Sequence, residues 1–474
     1  MKKILFAICA TTLLFGSCKQ NEPKDPDPTP TSDVIELTGD ISADRTLDAS
    51  KKYLLKGFVY VTKGAKLTIP AGTVVMGDKA SKGTLVITRG SKIDAQGTAT
   101  KPVVFTSSFA AGTRQAGDWG GIVLLGKAPV NASAGEAKLE GGLVPTNGGN
   151  EKDYIWYGGS DVNDNSGIIK YARIEFAGIA LSPDNELNSL TMGGVGAGTT
   201  LSYIQVYRAG DDAFEWFGGT VNADHLVASY TWDDDFDTDF GYSGNVQFGV
   251  AQRHKNLADI SGSNGFESDN NADGTTASPQ TKAVFSNMTI VGPIIAGSST
   301  SGVNTQFQHG VQIRRNSALS IRNSIIIGFP LAGLYIDGTK GTPTHNNLGA
   351  TGVEGPLVFK NNILAGNAVA WKVGGLKTAA DTTIWNNFKA QASNTVISKA
   401  EDVLMVAPNK YGSALAATPA VPSFLLQGTS PAISGSDYTG MPSFFQSVAY
   451  RGAFDASNDW TAGWTNWDAE QTKY

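Results

Sequence analysis

The chain is 474 residues long, with 17% charged and 41% hydrophobic residues, 56 glycines and a formal net charge of −6. It offers no basic stripe to neutralise phosphates, which argues against a nucleic-acid partner. Its two cysteines, Cys9 and Cys18, both fall in the opening segment, so a disulfide framework and thiol chemistry are excluded from the body of the protein.

The first elements concern placement. Lys2 and Lys3, the apolar run Ile4 to Phe15 and the small-residue exit Gly16-Ser17-Cys18 follow the order of an export signal. The run is too short to span a bilayer as a mature helix. Its end on Cys18 resembles a bacterial lipobox, with Phe15 where a small aliphatic residue is usual. That resemblance implies a signal peptide over residues 1–18, acylation (palmitate) of Cys18 as the lipid anchor, and tethering to a membrane. The alternative is an ordinary cleaved signal and a soluble protein. Residues 19–33, rich in Pro, Asp, Glu and Thr, predict an extended disordered tether. Glu22, Asp25 and Asp27 behind the anchor resemble the surface-export signals of Bacteroidota lipoproteins.

From residue 34 to 400 the pattern is short alternating runs closed by Gly, Asn and Asp. Leu54–Val61, Leu67–Val75, Leu85–Ile87, Ile93–Thr98, Val103–Thr106 and Gly120–Leu125 are examples. They lie too close for helical crossovers and show few Asn-Gly hairpin turns, which points to a parallel β-helix rather than a sandwich. The phrase ending in Gly117-Asp118-Trp119-Gly120-Gly121 looks like many right-handed parallel β-helix proteins. The expected fold class is therefore all-β: a right-handed parallel β-helix, a pectate-lyase-like solenoid with a C-terminal aromatic cap. Residues 132–165, rich in Gly and Asn, read as a loop excursion over one face. Val284–Gly292, Ser320–Gly328 and Val358–Gly366 each place an Asn just before an apolar strand that ends in Gly. Asn at a coil corner tolerates left-handed backbone angles and can bond to the Asn above it. Residues 401–474, with Trp460, Trp464 and Trp467, are expected to cover the last apolar layer of the solenoid.

The chemistry concentrates between Asp211 and Asn270. Gly210 to Gly219 slides onto Asp233 to Gly241 with a shift of 23 residues, which sets Asp211 on Asp234, Asp212 on Asp235, Phe217 on Phe240, Asn222 on Asn245 and Val227 on Val250. The theme returns at Gly265 to Asn270. If each period is one coil, paired carboxylates sit about 4.8 Å apart on neighbouring strands, where like charges raise each other's pKa or recruit a cation. Asp211, Asp212, Asp234, Asp235, Asp237, Asp239, Glu267 and Asp269, with Asn264 and Asn270, supply the oxygen-rich set that Ca²⁺ takes. The competing reading is an acidic turn region whose Asp side chains cap local backbone N–H groups. Phe217 and Phe240 are expected as an internal stack, and Trp216 and Trp232, flanking the acids, as an exposed ligand-binding platform. His225, His254, His309 and His345 are scattered and read as surface or turn histidines rather than zinc ligands. A Ca²⁺-dependent lyase would need a base beside the acids, for which Arg208, Arg253 and Lys255 are the candidates. A polygalacturonase-like pairing of Asp211-Asp212 with His309-Gly310 fails on spacing, and Arg314-Arg315 lacks the lysine it would need. No catalytic residue is assigned.

Gly210–Gly219, Asp233–Gly241, Asn264–Asn270 and the closing Arg451–Phe454 and Trp460–Trp464 together resemble a family of Bacteroidota outer-membrane lipoproteins with β-helix bodies and no settled function. The resemblance covers essentially the whole mature chain and implies location and shape. It implies an outer-membrane, lipid-anchored, cell-surface protein that binds a ligand without catalysis or serves as an accessory subunit in glycan uptake. The implied partners are a TonB-dependent transporter complex or a surface glycan. A Ca²⁺-dependent polysaccharide lyase and a structural envelope protein are the alternatives.

Overall fold

The structure, a computed structural model, describes residues 34–182, 185–294, 296–297, 299–350, 353–391 and 393–474. The expected signal, the expected acylation site Cys18 and the expected tether to residue 33 lie outside the described residues. No described helix is long and apolar enough to cross a membrane.

Strand pairing is parallel throughout one large sheet of 26 strands that winds on itself as a β-helix. Alternation explains why these runs become strands. In Phe214–Phe217, Phe214 and Trp216 enter the bore while Glu215 points out, and in Phe236–Asp239 Phe236 and Thr238 enter while Asp237 points out. Bore side chains then stack from coil to coil: Phe214 on Phe236 at 5.6 Å and Phe236 on Phe266 at 5.1 Å between ring centroids. Polar bore positions are also matched, with Thr238 and Ser268 hydroxyls 2.7 Å apart and Ser268 and Ser317 2.6 Å apart.

The strand ladders form three faces. Two of them meet at a corner where Tyr171, Tyr203, His225, Phe248, Asn287, Asn323 and Asn361 all have positive φ, between 48° and 61°. The three asparagines take the left-handed turn that the sequence predicts. The four preceding residues in the column are aromatic or imidazole rings, and ring stacking takes the place of amide pairing. Tyr171 stacks on Tyr203 at 4.4 Å and Tyr203 on His225 at 4.1 Å.

Two expectations about boundaries change. The bore is closed at its C-terminal end by the helix Ala379–Gln391, whose Trp385 and Phe388 pack on Trp371 and the last core layer. The aromatics of residues 401–474 do cover apolar surface, but on the flank and not on the last coil. From residue 435 the segment forms a strap running back along the left-handed corner. Gly435 O accepts from Asn361, Asp437 pairs with Asn323, and Tyr438 OH donates to Asn287. Trp460 and Trp464 meet the rings of Tyr203 and His225, and Tyr474 OH donates to Glu175 at 2.6 Å. The strap covers the side of the solenoid because the stacked ring column there is apolar and otherwise bare.

The repeat length also needs correction. The shift of 23 residues holds on one face, where Val227 pairs with Val250 and Asn222 Oδ1 accepts from Asn245 N at 2.9 Å. On the acidic strand the shift is 22: Phe214 pairs with Phe236, Glu215 with Asp237 and Phe217 with Asp239. The extra residue enters in the turn between Asp239 and Asn245. Phe217 and Phe240 touch at 6.0 Å, but outside the bore, beneath the excursion.

Candidate metal centre and binding face

The third face carries the acids. Its outward row reads, coil by coil, Tyr60, Val86, Val123, Thr191, Glu215, Asp237, Glu267, Gln312, Tyr335, Lys372. The first part of the row is apolar and covered. The excursion folds back as a hairpin of Glu136–Lys138 with Trp156–Gly158 and buries Tyr60, Val86 and Val123 under Leu139, Leu143, Ile155 and Tyr157. Its cover ends at Phe217, where Tyr157 packs at 6.1 Å. The acidic part begins on those same coils, at the edge of the cover.

Seven carboxylates converge there. Ligand oxygens of Asp211, Asp212 and Asp233, of Asp212, Glu215 and Asp237, and of Asp234, Asp237 and Glu267 each lie within 4.8 Å of one another. Asp212, Glu215 and Asp234 are buried. The Asp233 and Asp237 Oδ1 atoms are buried without a hydrogen-bond donor. Burial is the first cause that lifts every one of these groups above the ordinary carboxylate range, and mutual repulsion adds to it for all but one. Asp233 is pushed up to about 6, even though the Ser261 hydroxyl opposes the rise. Asp237 rises to about 7, with the Asp269 charge next in weight after burial and Arg314 opposing. Asp211, Asp212, Glu215, Asp234 and Glu267 rise well above that range. Once deprotonated, carboxylate oxygens crowded this closely, some without a donor, suit a hard cation. Ca²⁺ fits the residues present, which would hold it through Asp237 with either Asp212 and Glu215 or Asp234 and Glu267.

Two of these acids also build the coil. Asp212 Oδ1 accepts from Asp234 N at 2.8 Å, Asp234 Oδ1 from Asn264 N at 2.5 Å, and Asn264 Oδ1 from His309 N at 3.0 Å. Backbone capping is therefore real at this corner, and it uses one oxygen of each carboxylate.

Among the residues expected as ligands, Asp211, Asp212, Asp234, Asp237 and Glu267 are brought together. Asp235 is not: it turns inward and pairs with fully buried Arg253, Oδ2 to Nε at 2.8 Å, while Arg253 also donates to Thr231 O. Asp239 and Asp269 stand two residues further along, Asp239 at the end of its strand and Asp269 just past the end of Phe266–Ser268. Asp269 is held by Arg314, at 2.9 Å, and by Arg315. Asn270 is a buried brace whose amide donates to Thr275 O and Ala277 O. Glu215 and Asp233, not expected as ligands, belong to the cluster. The alternation that sends Phe214 and Trp216 inward was the signal for Glu215.

The same alternation overturns Trp216 as a platform. It is fully buried in the bore and stacks on Tyr242 at 5.2 Å. Trp232 is 40% exposed at the rim beside Asp233. His254, His309 and His345 are buried rather than at the surface, and His225, half-buried at the left-handed corner, belongs to the ring column.

Of the basic residues considered for a lyase, the arginines are held by acids, and Lys255, exposed at a turn, is not. Arg208 pairs with Glu470 at 2.6 Å and Arg253 with Asp235. Arg314 bridges Glu267 and Asp269, and these carboxylates hold its guanidinium more firmly protonated than usual, against the effect of burial. Lys255 forms no ion pair among the described residues. Lys372 lies on the outward row, its ammonium 3.2 Å from His309 Nε2 and 4.1 Å from the centre of the Tyr335 ring. It stands three coils beyond Glu267, about 14 Å away.

Comparison with known proteins agrees on the body. The profile of a family described as a pectate-lyase-like β-helix domain matches residues 39–404. Among curated proteins none matches the chain. Of solved structures, the chain is similar to the Agl-KA catalytic domain (10% identity, TM-score 0.27, 77% of this chain and 62% of that one). It is also similar to the Dettilon tailspike protein (11% identity, TM-score 0.22, 68% and 62%). The chain thus spans less than two thirds of either structure.

Proposed function

We propose, from the premise that the chain belongs to the pectate-lyase-like β-helix domain family, that it is a non-catalytic binding protein of the outer-membrane surface. In this reading it is lipid-anchored at Cys18, holds Ca²⁺ in the carboxylate cluster and presents it to an acidic glycan, as an accessory subunit beside a TonB-dependent uptake complex. The observation that carries the reading is the crowding of seven carboxylates on one face, of which only Glu267 has an ion pair among the described residues, with Arg314. A cation offsets the repulsion and leaves coordination positions for carboxylate or hydroxyl oxygens of a ligand. Trp232 at the rim offers an apolar surface for a sugar ring.

The lyase reading needs a base within hydrogen-bond reach of the carbon acid. Lys372 is separated from the cluster by Gln312 and Tyr335, too far to act on a sugar held by the cation.

Calorimetric titration of the protein with Ca²⁺, alone and with acidic polysaccharides, tests the proposal. Expected are Ca²⁺ binding abolished by Asp237→Asn, calcium-dependent glycan binding, and no unsaturated product. Cleavage lost in Lys372→Ala would replace this reading with the lyase. Affinity capture from detergent-extracted membranes tests the accessory role, and recovery of this chain alone would remove it.

A further inference from the structure

Charge is divided unequally along the solenoid. Residues 34–130, the first coils, carry 13 Lys and Arg against 7 Asp and Glu, while residues 131–474 carry 20 against 32. A chain with net charge −6 thus has a basic end, and Val34, where the segment after Cys18 enters the body, lies in it.

On that end a cavity of ≈ 670 Å³ opens at one corner of the helix. Thr62-Lys63 and Thr88-Arg89 supply the same corner of consecutive coils, because Val61 pairs with Ile87 and Ile87 with Leu124, and Lys127 follows on the next coil. The Lys127 ammonium reaches back over Gly90, where a Cβ would stand 2.9 Å from it. Neither Lys63 nor Lys127 makes an ion pair among the described residues, although Asp164 lies near enough to Lys127 to feel its charge. Arg89 is fixed by Glu136 and by carbonyl oxygens of Lys152 and Gly158, and Lys152 bonds to Glu136 at 3.0 Å. Asp153 is the one acid in the lining. Thr62, only 4% exposed, lines the cavity, and its buried hydroxyl has no hydrogen-bond partner. Free ammonium groups and a fixed guanidinium are the donors that a phosphate oxyanion takes.

We propose that the basic first coils are a docking surface for phosphate-bearing lipid headgroups, with this cavity seating one of them. The inference rests on the reading of a lipid-anchored chain, and it adds an orientation: the N-terminal coils face the membrane and the acidic face, further along the axis, stands clear of it. Each basic residue near an anionic surface adds attraction that salt screens.

The test uses the mature chain, residues 19–474, without its acyl group, sedimented with vesicles of phosphatidylcholine alone or mixed with phosphatidylglycerol. Binding is expected only to the mixed vesicles and falls with added salt. The Lys63→Gln/Lys127→Gln variant, checked for unchanged circular dichroism, should lower partitioning on the order of thirtyfold. Asp237→Asn should leave it unchanged, so failure of the calcium reading and failure of this one are separable. Equal binding to neutral vesicles, no binding to either, or an unaffected double variant would overturn the proposal. Inhibition by inorganic phosphate equimolar with the lipid phosphate would also overturn it, by assigning the cavity to a free anion.

Discussion

The strapped flank and the acidic face are built on the same coils, and both bury carboxylates, yet they treat them differently. On the flank Glu175 is met by Arg173 at 3.2 Å and by the Tyr474 hydroxyl, and Glu470 by Arg208 and the Tyr207 hydroxyl, each at 2.6 Å. On the acidic face Asp212, Glu215, Asp233, Asp234 and Asp237 crowd one another, and none of them forms an ion pair among the described residues. A buried carboxylate with a guanidinium beside it is a brace. Carboxylates left to crowd each other impose a cost that only protons or a cation remove. The difference marks one face as braced and the other as the face proposed to hold a cation.

The largest effect should come from removing a brace on the acidic side itself. Arg253→Ala strands Asp235 in the interior and is expected to cost about 3–5 kcal/mol, read as a lower urea midpoint with or without Ca²⁺. A response limited to Ca²⁺-loaded protein would instead return Asp235 to the ligands. On the flank, Trp464→Ala opens a void against Tyr171 and Tyr203 and should cost about 3 kcal/mol, again independent of cation.

The acidic face should show the opposite dependence. Its carboxylates have raised folded-state pKa values, Asp233 to about 6 and Asp237 to about 7, so the folded chain holds protons that the unfolded chain releases near pH 4. In chelator, stability should fall as pH rises from about 4 to 7, by up to ~1.4 kcal/mol per pH unit for each proton retained. Ca²⁺ should abolish that fall, and a thermal melt unchanged by chelation at pH 8 would end the calcium proposal. Asp237→Asn should raise stability in chelator by ~1.4 kcal/mol or more while removing the response to Ca²⁺. The smallest effect on stability belongs to Trp232→Ala, within about 0.5 kcal/mol, accompanied by a roughly tenfold loss of glycan affinity measured by calorimetry.

Much of the fold is legible from alternation alone. Runs such as Leu85–Ile87 and Val103–Thr106 identify strands, and Asn287, Asn323 and Asn361 mark a left-handed corner. The acid set is legible as a region but not residue by residue. A slip of one residue between the two motifs moves Asp235 from the outer face to the Arg253 pair, and it follows from the turn between Asp239 and Asn245 differing in length from the one before it. Trp216 was misread because its neighbours are acidic, although its parity with Phe214 places it in the bore. The strap was misplaced for another reason. Its partners, Asn361, Asn323, Asn287 and Glu175, are spread over nearly two hundred residues, and no local pattern encodes that order.

The strap also changes how the solenoid should come apart. A stack of coils that touch only their neighbours frays from its ends and loses repeats one at a time. Here a single segment leaves the last coils at Asn361, crosses the corner column and ends with the Tyr474 main-chain oxygen accepting from Lys52 in the second strand layer. The second turn and the late turns are thereby members of one contact set, and the loss of either releases the segment that holds the other. The molecule is expected to melt in one all-or-none transition, with a calorimetric enthalpy equal to the van't Hoff value.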